Sequence, residues 1–146
     1  MNKVLFIITG SIAASRCKEI IALLNINEVK ISCILTKEAK KYVKISDIKK
    51  LLKNRIFTDE DEKKNKMLHI NLSRDNDIIV MCPATANSIA KFANGYGDNL
   101  ASNTLLASNK KILIVPAMNS FMWHNKINQK NVKLLKDSGH EFIGPK

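Results

Sequence analysis

Four short apolar runs, each cut off by a small or polar loop, constrain this chain more than any other feature. Val4–Ile8 runs into Thr9-Gly10-Ser11, Val29–Leu35 into Thr36, Asp77–Cys82 into Pro83, and Lys111–Val115 into Pro116. Runs of this length, rich in β-branched residues and bounded by Gly, Pro and hydroxyl residues, read as buried strands. Helical spacing fills the intervals. Ile12–Leu24 follows the first run, and a short turn capped by Thr36 and reaching Tyr42, then Ser46–Leu52, follow the second. Asn87–Ala93 and Leu100–Ala107, separated by Gly95-Tyr96-Gly97, follow the third. Asn125–Ser138, closed by Gly139, follows the fourth, and His140–Ile143 reads as a last strand. Phe57–Met67 carries Asp59-Glu60-Asp61-Glu62-Lys63-Lys64 and little apolar surface, so it reads as a surface loop. The alternation predicts one α/β domain with a mainly parallel sheet covered on both faces. A chain of 146 residues suits a single core.

Such sheets bind ligands in the crevice beyond the carboxyl ends of their strands, and the unusual peptides all fall there. Gly10 permits a tight turn, and Ser11 with the free amides of the following helix suits a phosphate; a plain strand-to-helix turn accounts for them equally. Thr36 serves as a helix cap as readily as a phosphate ligand. Pro83-Ala84-Thr85-Ala86-Asn87-Ser88 leaves room for a flat ligand beside the backbone, with Thr85 and Asn87 at its polar edge; an N-cap explains Asn87 but not the rest. Pro116-Ala117-Met118-Asn119-Ser120-Phe121-Met122-Trp123 brings polarizable, aromatic and amide groups to a strand end, where core packing competes as an explanation. His69, within Leu68-His69-Ile70-Asn71-Leu72, can exchange a proton near neutral pH, although its apolar neighbours equally suit a structural histidine. His124 and His140 have less to recommend them.

Charge invites a different reading and does not sustain it. The formal net charge is +11, and basic domains often meet nucleic acid or anionic membranes. Yet only Arg16, Arg55 and Arg74 are arginines, and the lysines are accompanied by abundant Asn and Ile, as an A+T-rich coding sequence would produce. Between Met67 and Asn109, where most motifs lie, two basic residues face three acidic ones. Aromatic residues make up 5% and do not interleave with the lysines, so stacking on bases has little support. No nucleic-acid partner is expected, and no apolar run reaches the ~20 residues needed to span a bilayer. Cys17, Cys33 and Cys82 lack metal-like spacing and adjoin apolar segments, which reads as buried free thiols in a reducing, cytoplasmic protein with no metal site.

Taken together, Gly10-Ser11-Ile12-Ala13-Ala14, His69-Ile70-Asn71-Leu72, Pro83-Ala84-Thr85-Ala86-Asn87 and Pro116 to Trp123 resemble the homo-oligomeric flavin-containing cysteine decarboxylases, in order and spacing, over essentially the whole chain. Pro116, Met118, Asn119, Met122 and Trp123 meet the PxMNxxMW pattern of the decarboxylase branch. The resemblance implies a Rossmann-like or flavodoxin-like three-layer fold, FMN as cofactor, and a homo-oligomer, trimer or dodecamer, with flavin near the subunit contacts. It implies that Gly10, Ser11, Ile12 and Thr36 lie about the phosphate, that Ala84, Thr85, Ala86, Asn87 and Met118 line the flavin, that His69 is the active-site base, and that Asn119 and Met122 hold the substrate carboxylate end. The implied reaction is oxidative decarboxylation of a cysteine-terminated small molecule. A phosphorylated conjugate, phosphopantothenoylcysteine on the way to coenzyme A, comes first, with a cysteinyl peptide or a non-catalytic FMN-binding role as alternatives. The family's coenzyme A branch also uses a flap cysteine beyond the last strand and a synthase domain. Neither has a counterpart within these 146 residues, which are expected to be one flavoprotein domain.

Overall fold

A computed structural model describes residues 2–145. Six strands form one wholly parallel sheet: β1 (Lys3–Ile8), β2 (Lys30–Leu35), β3 (Ile56–Phe57), β4 (Ile78–Ala84), β5 (Ile112–Pro116) and β6 (Glu141–Phe142). Their order across the sheet is β3-β2-β1-β4-β5-β6. The chain works outward from β1 to one edge, then returns to the far side of β1 and works outward to the other. Strands β1 and β4 are therefore neighbours whose following connections part in opposite directions, which opens a crevice at their carboxyl ends. The parallel sheet and its covering helices match the α/β expectation.

Period-two alternation sorts the strand residues between two cores. In β1, Val4, Phe6 and Ile8 join Ile21, Ile31, Cys33, Leu35, Ile48 and Leu52 on one face. Leu5 and Ile7 join Ile79, Met81, Ile89, Leu105, Ile112 and Ile114 on the other. Leu5, Ile7 and Ile8 are completely buried, and each such side chain contributes roughly 1.5–3 kcal/mol of burial free energy. A strand covered on both faces has no polar side to display, which is why β1 reads as an unbroken apolar run.

The helices are α1 (Cys17–Ile26), α2 (Ile45–Leu52), α3 (Asp59–Lys64), α4 (Leu68–Asp75), α5 (Ala86–Ala93), α6 (Leu100–Ala107), α7 (Ser120–His124) and α8 (Lys126–Asp137). Several boundaries differ from expectation. The first helix opens as a 3-10 turn over Ile12–Arg16. Pro83 does not end β4, which continues to Ala84 through a shift of register after Met81; that irregularity is where a proline without an N–H fits into a central strand. The segment Phe57–Met67 is not a loop. Arg55 carbonyl accepts from Cys33 N–H at 2.8 Å and starts the edge strand β3. Helix α3 then begins with a capping box between Thr58 and Asp61. Four acidic residues in its first turn and Lys63-Lys64 in its last oppose the helix dipole at both ends. It buries no side chain, so no apolar period announces it. Helix α4 buries Leu68 and Leu72, one turn apart on one face.

Candidate functional site

The loops at the carboxyl ends of β2, β1, β4 and β5 are joined by a continuous series of hydrogen bonds. Thr36 N–H donates to Ile8 carbonyl at 3.2 Å, linking the second loop to the first. Thr9 hydroxyl donates to Pro83 carbonyl at 2.6 Å and accepts from Thr85 N–H at 3.2 Å, linking the first loop to the third. Ala117 N–H donates to Ala84 carbonyl at 3.0 Å, linking the third loop to the fourth. Thr9 is itself buried. Its position as the last hydroxyl of an apolar strand, before a glycine, was the available sign of a bridging role.

Gly10 is required by close approach rather than by its backbone angles. A Cβ there would meet Glu38 Cβ at 2.4 Å and the Glu38 backbone at 3.1–3.3 Å. The Thr36 loop therefore lies directly against the first turn. Thr36 caps that loop by accepting from Ala39 N–H at 3.2 Å. Ser11 accepts from Ala13 N–H at 3.2 Å and caps the 3-10 turn. Thr85 caps α5, accepting from Ser88 N–H at 3.1 Å with its hydroxyl 2.8 Å from that of Ser88. The first amides of α5 then have no intrahelical partner.

These loops enclose a cavity of about 150 Å³. Gly10, Thr36, Thr85 and Asn87 line it, as do Thr9 and Ser88. Its far wall comes from α5 and α6, through Phe92, Ser102 and Leu105, which lay outside the expected site. The structure thus brings four of the expected cofactor residues to one surface. Ser11, Ile12, Ala84, Ala86 and Met118 are not in the cavity wall: Ala84 is fully buried beneath the loop, and Ile12 is 79% exposed. A groove of about 430 Å³, lined by Lys37, Lys40, Glu60, Glu62 and Asp98 among others, shares Asn99 with the cavity.

The fourth loop presents its groups outward. Asn119 Oδ1 accepts from Met122 N–H at 2.9 Å and so caps α7. With Oδ1 engaged, the side-chain amide hydrogens of this exposed residue remain for a ligand. Met118 packs against the core, and Asn128 Nδ2 donates to its sulfur at 3.5 Å. Trp123 packs nearby, with its carbonyl accepting from Asn128 Nδ2 at 3.1 Å and Gln129 Nε2 at 2.6 Å. Helix α8 thereby clamps α7, while Met122 is 45% exposed and Phe121 is 92% exposed.

His69 lies in the first turn of α4, half-buried, with Glu62 Oε2 of α3 3.3 Å from Nδ1. Its neighbour in type, His140, has a structural role: Nδ1 accepts from Ile112 N–H at 3.0 Å, the ring lies 4.8 Å from that of Phe92, and burial lowers its pKa. All three cysteines are buried and free. Cys17 Sγ donates to Cys82 carbonyl at 3.3 Å beneath the first turn. A hydrogen bond with Cys82 and then burial push the Cys17 thiol up, and burial alone does the same for Cys33. Both are poor nucleophiles at neutral pH. Among the described residues no group of three or more His, Cys, Asp or Glu could hold a metal, and no helix is long and apolar enough to cross a membrane.

A parallel 3-2-1-4-5-6 sheet with its cavity at the topological switch point defines a Rossmann-like α/β domain of the class that holds nucleotide-like ligands. Within that class the chain belongs to the flavoprotein family, whose profile matches residues 1–146. It is 30% identical over 149 residues to the probable phosphopantothenoylcysteine decarboxylase of Streptococcus mutans, covering 99% of this chain and 83% of that protein. It is 35% identical over 140 residues to the coenzyme A biosynthesis bifunctional protein CoaBC of Haemophilus influenzae, covering 94% of this chain but only 35% of that protein's length. Among solved structures, the FMN-dependent cysteine decarboxylase SpaF superposes with a TM-score of 0.93 at 30% identity, over 100% of this chain and 85% of SpaF. The peptidyl-cysteine decarboxylase EpiD superposes with a TM-score of 0.87 at 32% identity, over 100% of this chain and 88% of EpiD.

Proposed function

We propose that this flavoprotein uses FMN to decarboxylate a cysteine-terminated substrate, phosphopantothenoylcysteine first among them. The observation that carries this reading is the 30% identity to the Streptococcus mutans decarboxylase, spread over 99% of the chain. Four of the expected residues, Gly10, Thr36, Thr85 and Asn87, share one cavity wall, which supports a place for the cofactor there. Gly10, Ser11 and Thr36 would hold the FMN phosphate, and Thr85, Asn87 and Met118, with the backbone of Ala84 and Ala86, would lie against the flavin. Ile12 would follow the phosphate turn.

A saturated cysteine carboxylate has no electron sink, and loss of carbon dioxide from it would leave an unstabilised carbanion. FMN, when bound, supplies the two-electron oxidation that converts the thiol carbon to a thioaldehyde. The electrons of the broken C–C bond then pass onto sulfur as carbon dioxide leaves, and protonation gives an enethiol. The protein's share is orientation and proton transfer. Asn119 would direct its side-chain amide at the substrate carboxylate, Met122 would cover the adjacent carbon, and His69 would take the thiol-side proton. In the coenzyme A branch the two electrons that FMN takes up in the first step would return to the enethiol with protons, giving the saturated thiol of phosphopantetheine.

A cavity of about 150 Å³ is smaller than the ~300 Å³ at which sites for cofactor-sized ligands begin. The proposal therefore includes a homo-oligomer, trimer or dodecamer, in which a second copy adds wall to the site; the exposed Ile12 and Phe121 suit that contact. Free buried thiols support a cytoplasmic setting. A peptidyl-cysteine substrate is the second reading, favoured by the likeness to EpiD.

Purified protein mixed with FMN decides the cofactor: a bound flavin spectrum is expected, and colourless protein that takes up none would overturn the proposal. Carbon dioxide release from phosphopantothenoylcysteine and from a cysteinyl peptide, assayed side by side, then assigns the substrate. Flavin binding with no release from either would leave a non-catalytic flavoprotein.

A further inference from the structure

His69 does not stand alone. Its Nδ1 is buried and has no aligned hydrogen-bond partner, yet Glu62 Oε2 lies 3.3 Å away, off the N–H axis. A small rotation of either side chain would bring the two into line. Asn103 Nδ2 of α6 straddles the carboxylate, donating to Oε1 at 3.3 Å and at 3.4 Å to Oε2, the oxygen that also faces His69. Asn103 in turn occupies space that only glycine leaves open: a Cβ on Gly97 would meet Asn103 Oδ1 at 2.3 Å and Leu106 Cδ1 at 3.1 Å. Gly97 adopts no left-handed backbone that would call for glycine by itself. The turn before α6 thus makes room for Asn103 of α6, which holds Glu62 of α3, which faces Nδ1 of His69.

We propose that Glu62 is the positioning residue for His69, held in place by Asn103. Its carboxylate accepts the Nδ1 hydrogen, which fixes the neutral imidazole as the Nδ1–H tautomer and leaves the Nε2 lone pair as the site of proton transfer. A carboxylate is suited to this because it can only accept. A glutamine in its place has one acceptor oxygen where the carboxylate has two, so Asn103 and Nδ1 compete for it, and an amide N–H turned to Nδ1 imposes the opposite tautomer. The inference rests on the reading of His69 as the base, and the experiment separates the two.

Nitrogen-15 spectra of the imidazoles, recorded on the FMN-loaded protein at a pH where His69 is neutral, identify the tautomer; the H69N variant assigns the signals. The wild type is expected to show Nδ1–H and the E62Q variant Nε2–H. In the same pair, kcat for carbon dioxide release is expected to fall about 10- to 100-fold in E62Q, the usual effect of losing a partner that orients a functional side chain, with KM little changed. The E62D variant, which keeps an acceptor, is expected to retain the wild-type tautomer. A wild-type Nε2–H tautomer, or the same tautomer in wild type and E62Q, would overturn the proposal even if H69N is inactive. Full turnover by H69N, beside a tautomer that flips in E62Q, would instead remove His69 as base and leave Glu62 as its positioning partner.

Discussion

The two loop systems at the carboxyl edge of the sheet are built to opposite specifications. Around the ends of β2, β1 and β4, Thr9, Gly10, Thr36 and Thr85 are tied by hydrogen bonds of 2.6–3.2 Å and by an approach that would put a Gly10 Cβ 2.4 Å from Glu38, and Thr9 and Thr36 are buried. After β5, Asn119, Phe121 and Met122 stand on a five-residue helix with their side chains in solvent. The first system is cross-linked within one chain, whereas the second leaves apolar side chains and the amide hydrogens of Asn119 exposed. A rigid phosphate-and-flavin end and an open substrate end are what that difference would mean in the proposed enzyme: cofactor affinity should depend on the first, and turnover and assembly on the second.

The sharpest way to test this division is to remove chemistry without touching the first loop system. H69N is expected to cut carbon dioxide release by roughly 10²–10⁴-fold while FMN affinity, read by fluorescence titration, stays within twofold. Replacing Asn119 by Ala removes both an amide and a helix cap. Turnover should fall and α7 should loosen at a cost of about 1 kcal/mol, measured by urea unfolding beside the activity assay.

The first system should answer in the opposite way. G10A drives a methyl group against Glu38, 2.4 Å from its Cβ, and is expected to lower stability by about 1–3 kcal/mol and to weaken FMN binding at least tenfold. T9V leaves the Pro83 carbonyl and the Thr85 N–H without their shared hydroxyl, for a loss of about 1–3 kcal/mol. If G10A and T9V bound FMN as well as wild type, the prefabricated loop system would not be the cofactor end.

Acid provides a smaller perturbation away from both. Burial lowers the pKa of His140, and its Nδ1 accepts the Ile112 N–H. The unfolded chain therefore binds a proton first as pH falls, so stability should decline below the ordinary histidine value near 6.5 and level off once the folded protein also protonates. H140N should flatten that part of a stability-against-pH curve. The smallest effect on folding is expected at Phe121, where F121S should change stability by less than about 0.5 kcal/mol and, on the proposal of a homo-oligomer, shift the sedimenting species toward monomer.

Much of the fold was legible before any coordinates. Strands covered on both faces show as apolar runs, and helices that pack on them show as apolar periods, so β1, β2, β4, β5, β6, α1, α2, α5, α6 and α8 could be read directly. Helix α3 could not, because its order comes from a capping box and charges opposed to a dipole rather than from a buried face. The two-residue strand β3 is specified by its partner β2 more than by its own residues.

The same boundary runs through the candidate site. The sequence by itself determined which residue types reach the carboxyl edge: Gly10, Thr36, Thr85, Asn87 and Asn119 each follow a strand, and a strand's end is a local property. Only the tertiary structure decided which of them meet. Thr9 joins Pro83 and Thr85 across 74 and 76 residues of chain, and Glu62 reaches His69 and Asn103 through three helices that share no local pattern. Such convergences depend on strand order and helix docking, and those follow from the packing of the whole core.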